Sequence, residues 1–279
     1  MLAQGLHSAL GVQWRRAQKV CLSVCAILVL ACAAFGMRNR QGTFVWGSEE
    51  SWEYRNRETM ADITTDTAIA VRLVGGLDPE GFPQEAAWNN APAIRFDADW
   101  QEKNADPARS TEVRLSWSTE TLYLRFAAHY RMITVFPDAE ANGRRDHLWE
   151  RDVCEVFLQP NPAEPRRYKE FEIAPNGFWI DLDIAPGAKH DLQSGLRRRV
   201  KVDEQHKTWR AELALPMKSL TERFDPSAVW RVNFYRVEGE TEPRFYSAWR
   251  PTRTPQPNFH VPEAFGGLVF TEAGAKIRR

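Results

Sequence analysis

Two seven-residue runs, Glu112–Ser118 and Leu122–Ala128, alternate in side-chain character on either side of Thr119-Glu120. Successive side chains of a strand point to opposite faces, so a period of two marks a strand with one face turned to a core. The short connection between the runs predicts a hairpin. The same alternation recurs at 153–158, 168–174, 178–184, 208–215, 230–237, 244–249 and 267–271, and Ala70–Val74 reads as a first strand. About ten short strands with turn residues between them, and hardly a helix, predict an all-β fold, an antiparallel β-sandwich over residues 68–273. No repeat of 20–50 residues is present, which excludes a propeller or solenoid.

The N-terminal region reads differently. Arg15, Arg16 and Lys19 precede eighteen uncharged residues, Val20 to Met37, which Arg38 closes. A basic stretch followed by an apolar run is the pattern of a secretory leader, here residues 1–37, and places the chain outside the cytoplasm. Three fates fit the leader: cleavage after Ala33, lipid attachment at Cys32, or retention as a membrane anchor, since eighteen residues just reach across a bilayer. Residues 38–67 are polar and irregular and read as a linker. Cysteines stand at 21, 25, 32 and 154, so the folded part holds only Cys154 and has neither a disulfide framework nor a cysteine-based zinc site. Lys+Arg and Asp+Glu both total 37, and a balanced chain has no field that would draw it to nucleic acid. The Arg197-Arg198-Arg199 run reads as a solvated loop or edge strand.

Residues 131–148 form a long polar connection that ends at Trp149. In the strand that follows, Val153, Glu155 and Phe157 share one face, while Cys154, Val156 and Leu158 form an apolar set facing the core. An indole six residues ahead of a carboxylate set among apolar neighbours suits a pyranose ring, whose C–H faces stack and whose hydroxyls are gripped edge-on. Asp146, Glu150, Asp152 and Glu155 invite a glycosidase reading, because glycoside hydrolysis uses two carboxylates about 5–10 Å apart. Their crowding within ten residues argues for solvated charge instead. The histidines show no chelating spacing. Trp88, Trp117, Trp209, Trp230 and Trp249 read as core or sheet-packing residues, and Arg236 as an ion-pair partner of Glu155 or Glu172.

The order of these pieces resembles carbohydrate-binding family 9 and its DOMON-like relatives. The matching pieces run from Leu77-Asp78 and Ala86-Ala87-Trp88 through Leu122-Tyr123-Leu124, Trp149-Glu150-Arg151-Asp152, Glu155-Val156-Phe157 and Tyr168-Lys169-Glu170-Phe171. They continue through Trp209-Arg210-Ala211-Glu212 and Trp230 to Arg236, and close on Tyr246 to Trp249 and Phe259 to Gly266. The resemblance implies a β-sandwich that binds a sugar, typically at a chain end, between two aromatic residues and without catalysis. Trp149 matches the first aromatic and Glu155 its acidic partner. Phe259 stands where the second aromatic is usually tryptophan, and Gln256 and Asn233 match amide positions. Glu172 stands where the family places an arginine, which removes a fork-shaped donor.

The expected ligand-binding set is therefore Trp149, Glu155, Glu172, Asn233, Gln256 and Phe259, and the expected partners are mono- and oligosaccharides or polysaccharide ends. Such open sites bind in the range of about micromolar to millimolar. No cofactor is expected beyond structural calcium, for which Asp78, Glu80 and Asp97 are candidates. One rival implied by the resemblance is a b-type haem electron-transfer domain with Met132 or Met217 and His129 or His260 as axial ligands. Another is a sandwich repurposed for a macromolecular partner.

Overall fold

The computed structural model describes residues 66–275, so the leader and all but the end of the linker lie outside the described residues. Thirteen strands follow one another: β1 (Thr67–Arg72), β2 (Ile94–Phe96), β3 (Thr111–Trp117), β4 (Thr121–His129), β5 (Val153–Gln159), β6 (Tyr168–Ile173) and β7 (Trp179–Ala185), then β8 (Ala188–Asp191), β9 (Arg197–Asp203), β10 (Thr208–Pro216), β11 (Trp230–Glu238), β12 (Phe245–Ala248) and β13 (Gly266–Thr271). Among the described residues two short helices, α1 (Glu85–Asn89) and α2 (Met217–Leu220), and three single 3-10 turns, Pro107–Arg109, Leu148–Glu150 and Pro262–Ala264, complete the order. The hydrogen-bonded path runs β8-β7-β6-β5-β11-β13-β1-β3-β4-β10-β9, with β12 on β11 and β2 on β3. Its two halves fold face to face: Val156, Phe171 and Phe234 of one half share a buried cluster with Leu115, Leu124, Phe126 and Leu213 of the other. Phe126 and Phe234 meet edge to face at 6.2 Å.

The sandwich is as expected, with two refinements. β1 lies parallel to both β13 and β3, so the pairing is mixed at the strand that joins the halves. The arginine run forms β9, an edge strand paired only with β10. The long side chains of Arg197, Arg198 and Arg199 suit an edge, where charge discourages further strand addition. Trp88, Trp117, Trp209 and Trp230 are all buried, and Trp249 packs against the core. Cys154 is buried as well, and burial pushes its thiol up to about 12, so it carries no reactive thiolate.

One glycine carries the junction of the first and last strands. A Cβ on Gly266 would press on the Asp66 carbonyl and come within 2.8 Å of the Trp249 ring. The Gly267 amide donates to that same carbonyl at 3.0 Å, so the backbone there is pinned. Gly266→Ala is expected to lose about 1–3 kcal/mol by overpacking. At roughly 2–4 °C per kcal/mol for a domain of this size, a thermal melt should fall by several degrees. An unchanged melt would mean that this junction relaxes freely.

Candidate functional site

Both faces of the β6-β5-β11 layer are covered. The inner face supplies the main core, and the outer face carries a second cluster built on Phe157, Tyr168, Ile180, Leu182, Tyr235 and Val237. Phe136 and Leu148 from the connection before β5, and Phe259 and Phe265 from the connection before β13, close over that cluster. The two long connections thus form a roof over the sheet, and they stop short of covering it completely.

The opening is a cavity of about 220 Å³. Glu155 and Phe157 of β5 and Glu170 of β6 form its floor, and Trp149, Tyr246 and Phe259 wall it. Arg244, Asn258 and His260 stand at the rim. Trp149 sits on a single helical turn, Leu148–Glu150, entered through His147 in the left-handed region at φ 57°. Arg244 donates to the Trp149 carbonyl at 2.8 Å, and its Nε donates to Glu242 at 2.9 Å. The Tyr246 hydroxyl donates to the same Glu242 carboxylate at 2.6 Å. The β11–β12 connection therefore fixes the height of the indole and the tilt of the phenol together. Lys189 reaches over the Trp149 ring at 4.3 Å.

The floor is electrostatically unusual. Register places Glu155 opposite Glu172 and Phe157 opposite Glu170, so three glutamates from two adjacent strands converge on one face. Each is at most 2 % exposed. Glu155 Oε1, Glu170 Oε2 and both Glu172 carboxylate oxygens are buried without a hydrogen-bond partner. Burial, with Glu170 nearby, holds the Glu155 carboxyl well above its ordinary range, against the pull of Arg244. Burial likewise raises Glu172, with Glu155 and Glu170 adding to the effect. His260 reaches Glu170 at 4.0 Å while its Nδ1 shares a 2.7 Å hydrogen bond with the Tyr168 hydroxyl.

Of the six residues expected from sequence, Trp149, Glu155 and Phe259 meet at this cavity. Phe259 is largely committed to the protein, stacked on Tyr235 at 4.2 Å and only 8 % exposed. Glu172 stands beside Glu155 on the neighbouring strand, buried, and does not line the cavity. Asn233 is fully engaged: its amide donates to the Tyr235 hydroxyl and the Arg250 carbonyl and accepts from the Phe234 and Arg250 amides. It anchors the strand-to-loop turn at Arg250. Gln256 is exposed on the loop before Phe259 and stands outside the cavity lining. Glu170, Arg244 and Tyr246 lie outside the expected ligand set, and His260 enters it only as a haem ligand, since only the register and the hairpin bring them to this cavity.

Several other expectations can be placed. Arg236 does form an ion pair, but on the inner face: it reaches Glu238 at 3.2 Å and Asp152 at 3.6 Å, not Glu155 or Glu172. The cause is parity, since residue 236 falls on the same face as Val232 and Phe234. Asp152 therefore serves the core and cannot act with Glu155. Asp78 and Glu80 are held by Arg199, and among the described residues no group of three or more histidines, cysteines or carboxylates is arranged to hold a metal ion. Met217 belongs to the inner core and Met132 is exposed, while His260 packs on Phe157 of the outer face. Met217 and His260 are therefore on opposite faces of the sheet and cannot act as an axial pair.

Larger hollows of about 490, 650 and 380 Å³ lie elsewhere, the last lined by Pro175–Gly177 and Arg198–Val200 with no aromatic side chain. In the largest, charge meets charge: Arg125 donates to Glu212 at 2.6 Å, and Arg199 bridges Glu212 to Asp78. None of these hollows combines aromatic walls with unpartnered acids as the 220 Å³ cavity does.

Known proteins resemble this chain in sequence and in fold. A curated extracellular protein of Arthroderma benhamiae is 26 % identical over 222 residues, covering 73 % of this chain and 96 % of that protein. The UPF0462 protein C4orf33 homolog of Rattus norvegicus is 26 % identical over 195 residues, covering 68 % and 87 %. Among solved structures, a Bacteroides uniformis protein superposes with a TM-score of 0.59 at 18 % identity over 74 % of this chain and 99 % of its own. A family 9 carbohydrate-binding module from Caldicellulosiruptor kristjanssonii, solved with glucose, superposes at 0.53 with 14 % identity, over 76 % and 100 %. The sequence model of carbohydrate-binding family 9 matches residues 89–270, and this chain belongs to that family.

Proposed function

We propose that this protein binds a saccharide in the 220 Å³ cavity, with the sugar ring against Trp149 and its hydroxyls on Glu155 and Glu170. The observation that carries this reading is the junction of a half-buried indole with unpartnered buried carboxylates at the mouth of a sandwich of this family. An aromatic wall buries the apolar face of a ring, and a carboxylate accepts hydrogen bonds from adjacent hydroxyls. Tyr246 supplies aromatic surface beyond that of the mostly committed Phe259. The protein acts by capture, without bond cleavage. Its Arthroderma benhamiae relative, named as extracellular, supports a place outside the cytoplasm, and the N-terminal leader would carry the chain there and could tether it.

The test is a titration of the full chain with glucose and cellotriose, the sugars held by solved family 9 modules, followed by tryptophan fluorescence. A saturable change is expected. Trp149→Ala should weaken it by about 30–100-fold, the roughly 2–3 kcal/mol of a central aromatic contact. Binding that survives this change intact would move the site elsewhere on the molecule.

A further inference from the structure

Glu155 and Glu170 line the cavity and are each 2 % exposed, yet each keeps one carboxylate oxygen without a partner. Glu172 stands directly across from Glu155, receives no donor from the protein, and in its protonated form shares a hydrogen bond with Glu170. Three acids on one sheet face are far more than the hydroxyls of a single neutral sugar require. Burying like charges together is costly, and sequences retain such groups where a ligand supplies what the protein withholds.

The nearby cations do not balance them. Arg244 is tied to Glu242 and to the Trp149 carbonyl. Lys189 lies over the indole. His260 is half exposed and hydrogen-bonded to Tyr168. Arg236, the other nearby guanidinium, is on the opposite face. Burial is the main cause that keeps the Glu155 and Glu172 carboxyls raised, against the pull of Arg244 on the first and Lys189 on the second.

Building on the saccharide reading of this site, we infer that the preferred ligand is a cationic amino sugar, its ring on Trp149 and its ammonium on Glu155 and Glu170. An ammonium offers three donors and a full charge to acceptors that otherwise have neither. A neutral sugar of the same shape offers hydroxyls alone, and an N-acetylated one replaces the charge with an amide. Seating the ammonium should also draw a proton off the cluster, since a cation favours the ionised form of its neighbours.

The experiment is calorimetric titration of the full chain with glucosamine, glucose and N-acetylglucosamine at about pH 6.5, where an amine of ordinary basicity is charged. Glucosamine is expected to bind at least about tenfold tighter than the other two, one decade being about 1.4 kcal/mol. Its heat should vary with the ionisation enthalpy of the buffer, revealing a released proton that glucose does not release. Glu170→Gln should narrow the ratio between glucosamine and glucose to near unity. A second readout needs no variant: in wild type the ratio should collapse as pH rises past the titration of the amine. Equal affinity for glucosamine and glucose at about pH 6.5 would overturn this inference and leave the saccharide reading standing. Absence of binding by all three sugars would overturn both.

Discussion

Arg236→Met is expected to destabilise the fold by about 3–5 kcal/mol, the cost of breaking a buried ion pair from one side. Arg236 is completely buried, as is Asp152, and Glu238 is 6 % exposed. The guanidinium donates to the Val237 carbonyl, lies 3.2 Å from Glu238 and 3.6 Å from Asp152, and packs within 5.4 Å of the Trp209 ring. Its volume is well filled by methionine, so a cavity is not the cause. The cost arises because two buried carboxylates lose their counter-charge. Asp152 would keep only the amides of Gly239, at 2.7 Å to its side chain, and of the surrounding backbone. Burial raises both carboxyls, and Arg236 is the foremost of the groups that pull them back.

The prediction separates charge from packing. Adding Asp152→Asn and Glu238→Gln to Arg236→Met removes the stranded charges and should restore much of the loss, because a buried ionic cluster contributes little over neutral groups of similar shape. Urea unfolding read by tryptophan fluorescence measures each step. A midpoint for Arg236→Met within about 1 kcal/mol of wild type would show that the carboxylates neutralise themselves without help.

How far the sequence revealed this molecule depends on what each residue's neighbours are. The hairpin of β3 and β4 was legible because Val113, Leu115, Leu122, Leu124 and Phe126 alternate with residues of the opposite face, all within one local window. β9 was harder to recognise, since Arg197, Arg198 and Arg199 conceal which face points inward. β8 carries almost no strand signal, because Ala188–Asp191 is short and polar. The parallel placement of β1 has no local signal at all, as it pairs the start of the domain with its end. The same logic divides the site. Trp149 and Glu155 lie six residues apart and could be read together, whereas Glu170 joins Glu155 only through the β5–β6 register. Arg244 and Tyr246 join them through a hairpin whose geometry rests on Glu242. Asn233 has the residue type of a ligand-binding position, but its environment decides otherwise: the Arg250 backbone occupies its amide. Phe259 shows the converse, an aromatic in a polar loop that finds a stacking partner in Tyr235.

The floor glutamates should also leave a signature in the unliganded protein. Glu155 and Glu172 titrate above their ordinary value in the folded state, so the fold holds more protons than the unfolded chain once pH exceeds the ordinary carboxylate range. Stability then falls as pH rises through that window, and lowering pH from about 8 to about 5 should stabilise the protein. The trend reverses at lower pH. Carboxylates that hydrogen bonds hold down, such as Glu242 at about 2 and the lowered Asp183, lose their contribution only as pH falls below the ordinary range. Glu172→Gln copies the protonated form in the same volume, at a position outside the cavity lining. It should raise stability at about pH 8 by about 1–3 kcal/mol, the scale of a buried polar group relieved of its desolvation penalty, and flatten the slope between about pH 5 and 8. Thermal melts of both proteins across that range decide the matter. A wild type whose melting temperature rises from about pH 5 to 8, or a variant less stable than wild type at about pH 8, would show that Glu172 has an ionised role and a partner for its charge. If the prediction holds, the protein tolerates a destabilised floor that a single amide would relieve, which is the trade expected where a surface is shaped for a ligand at the expense of the fold.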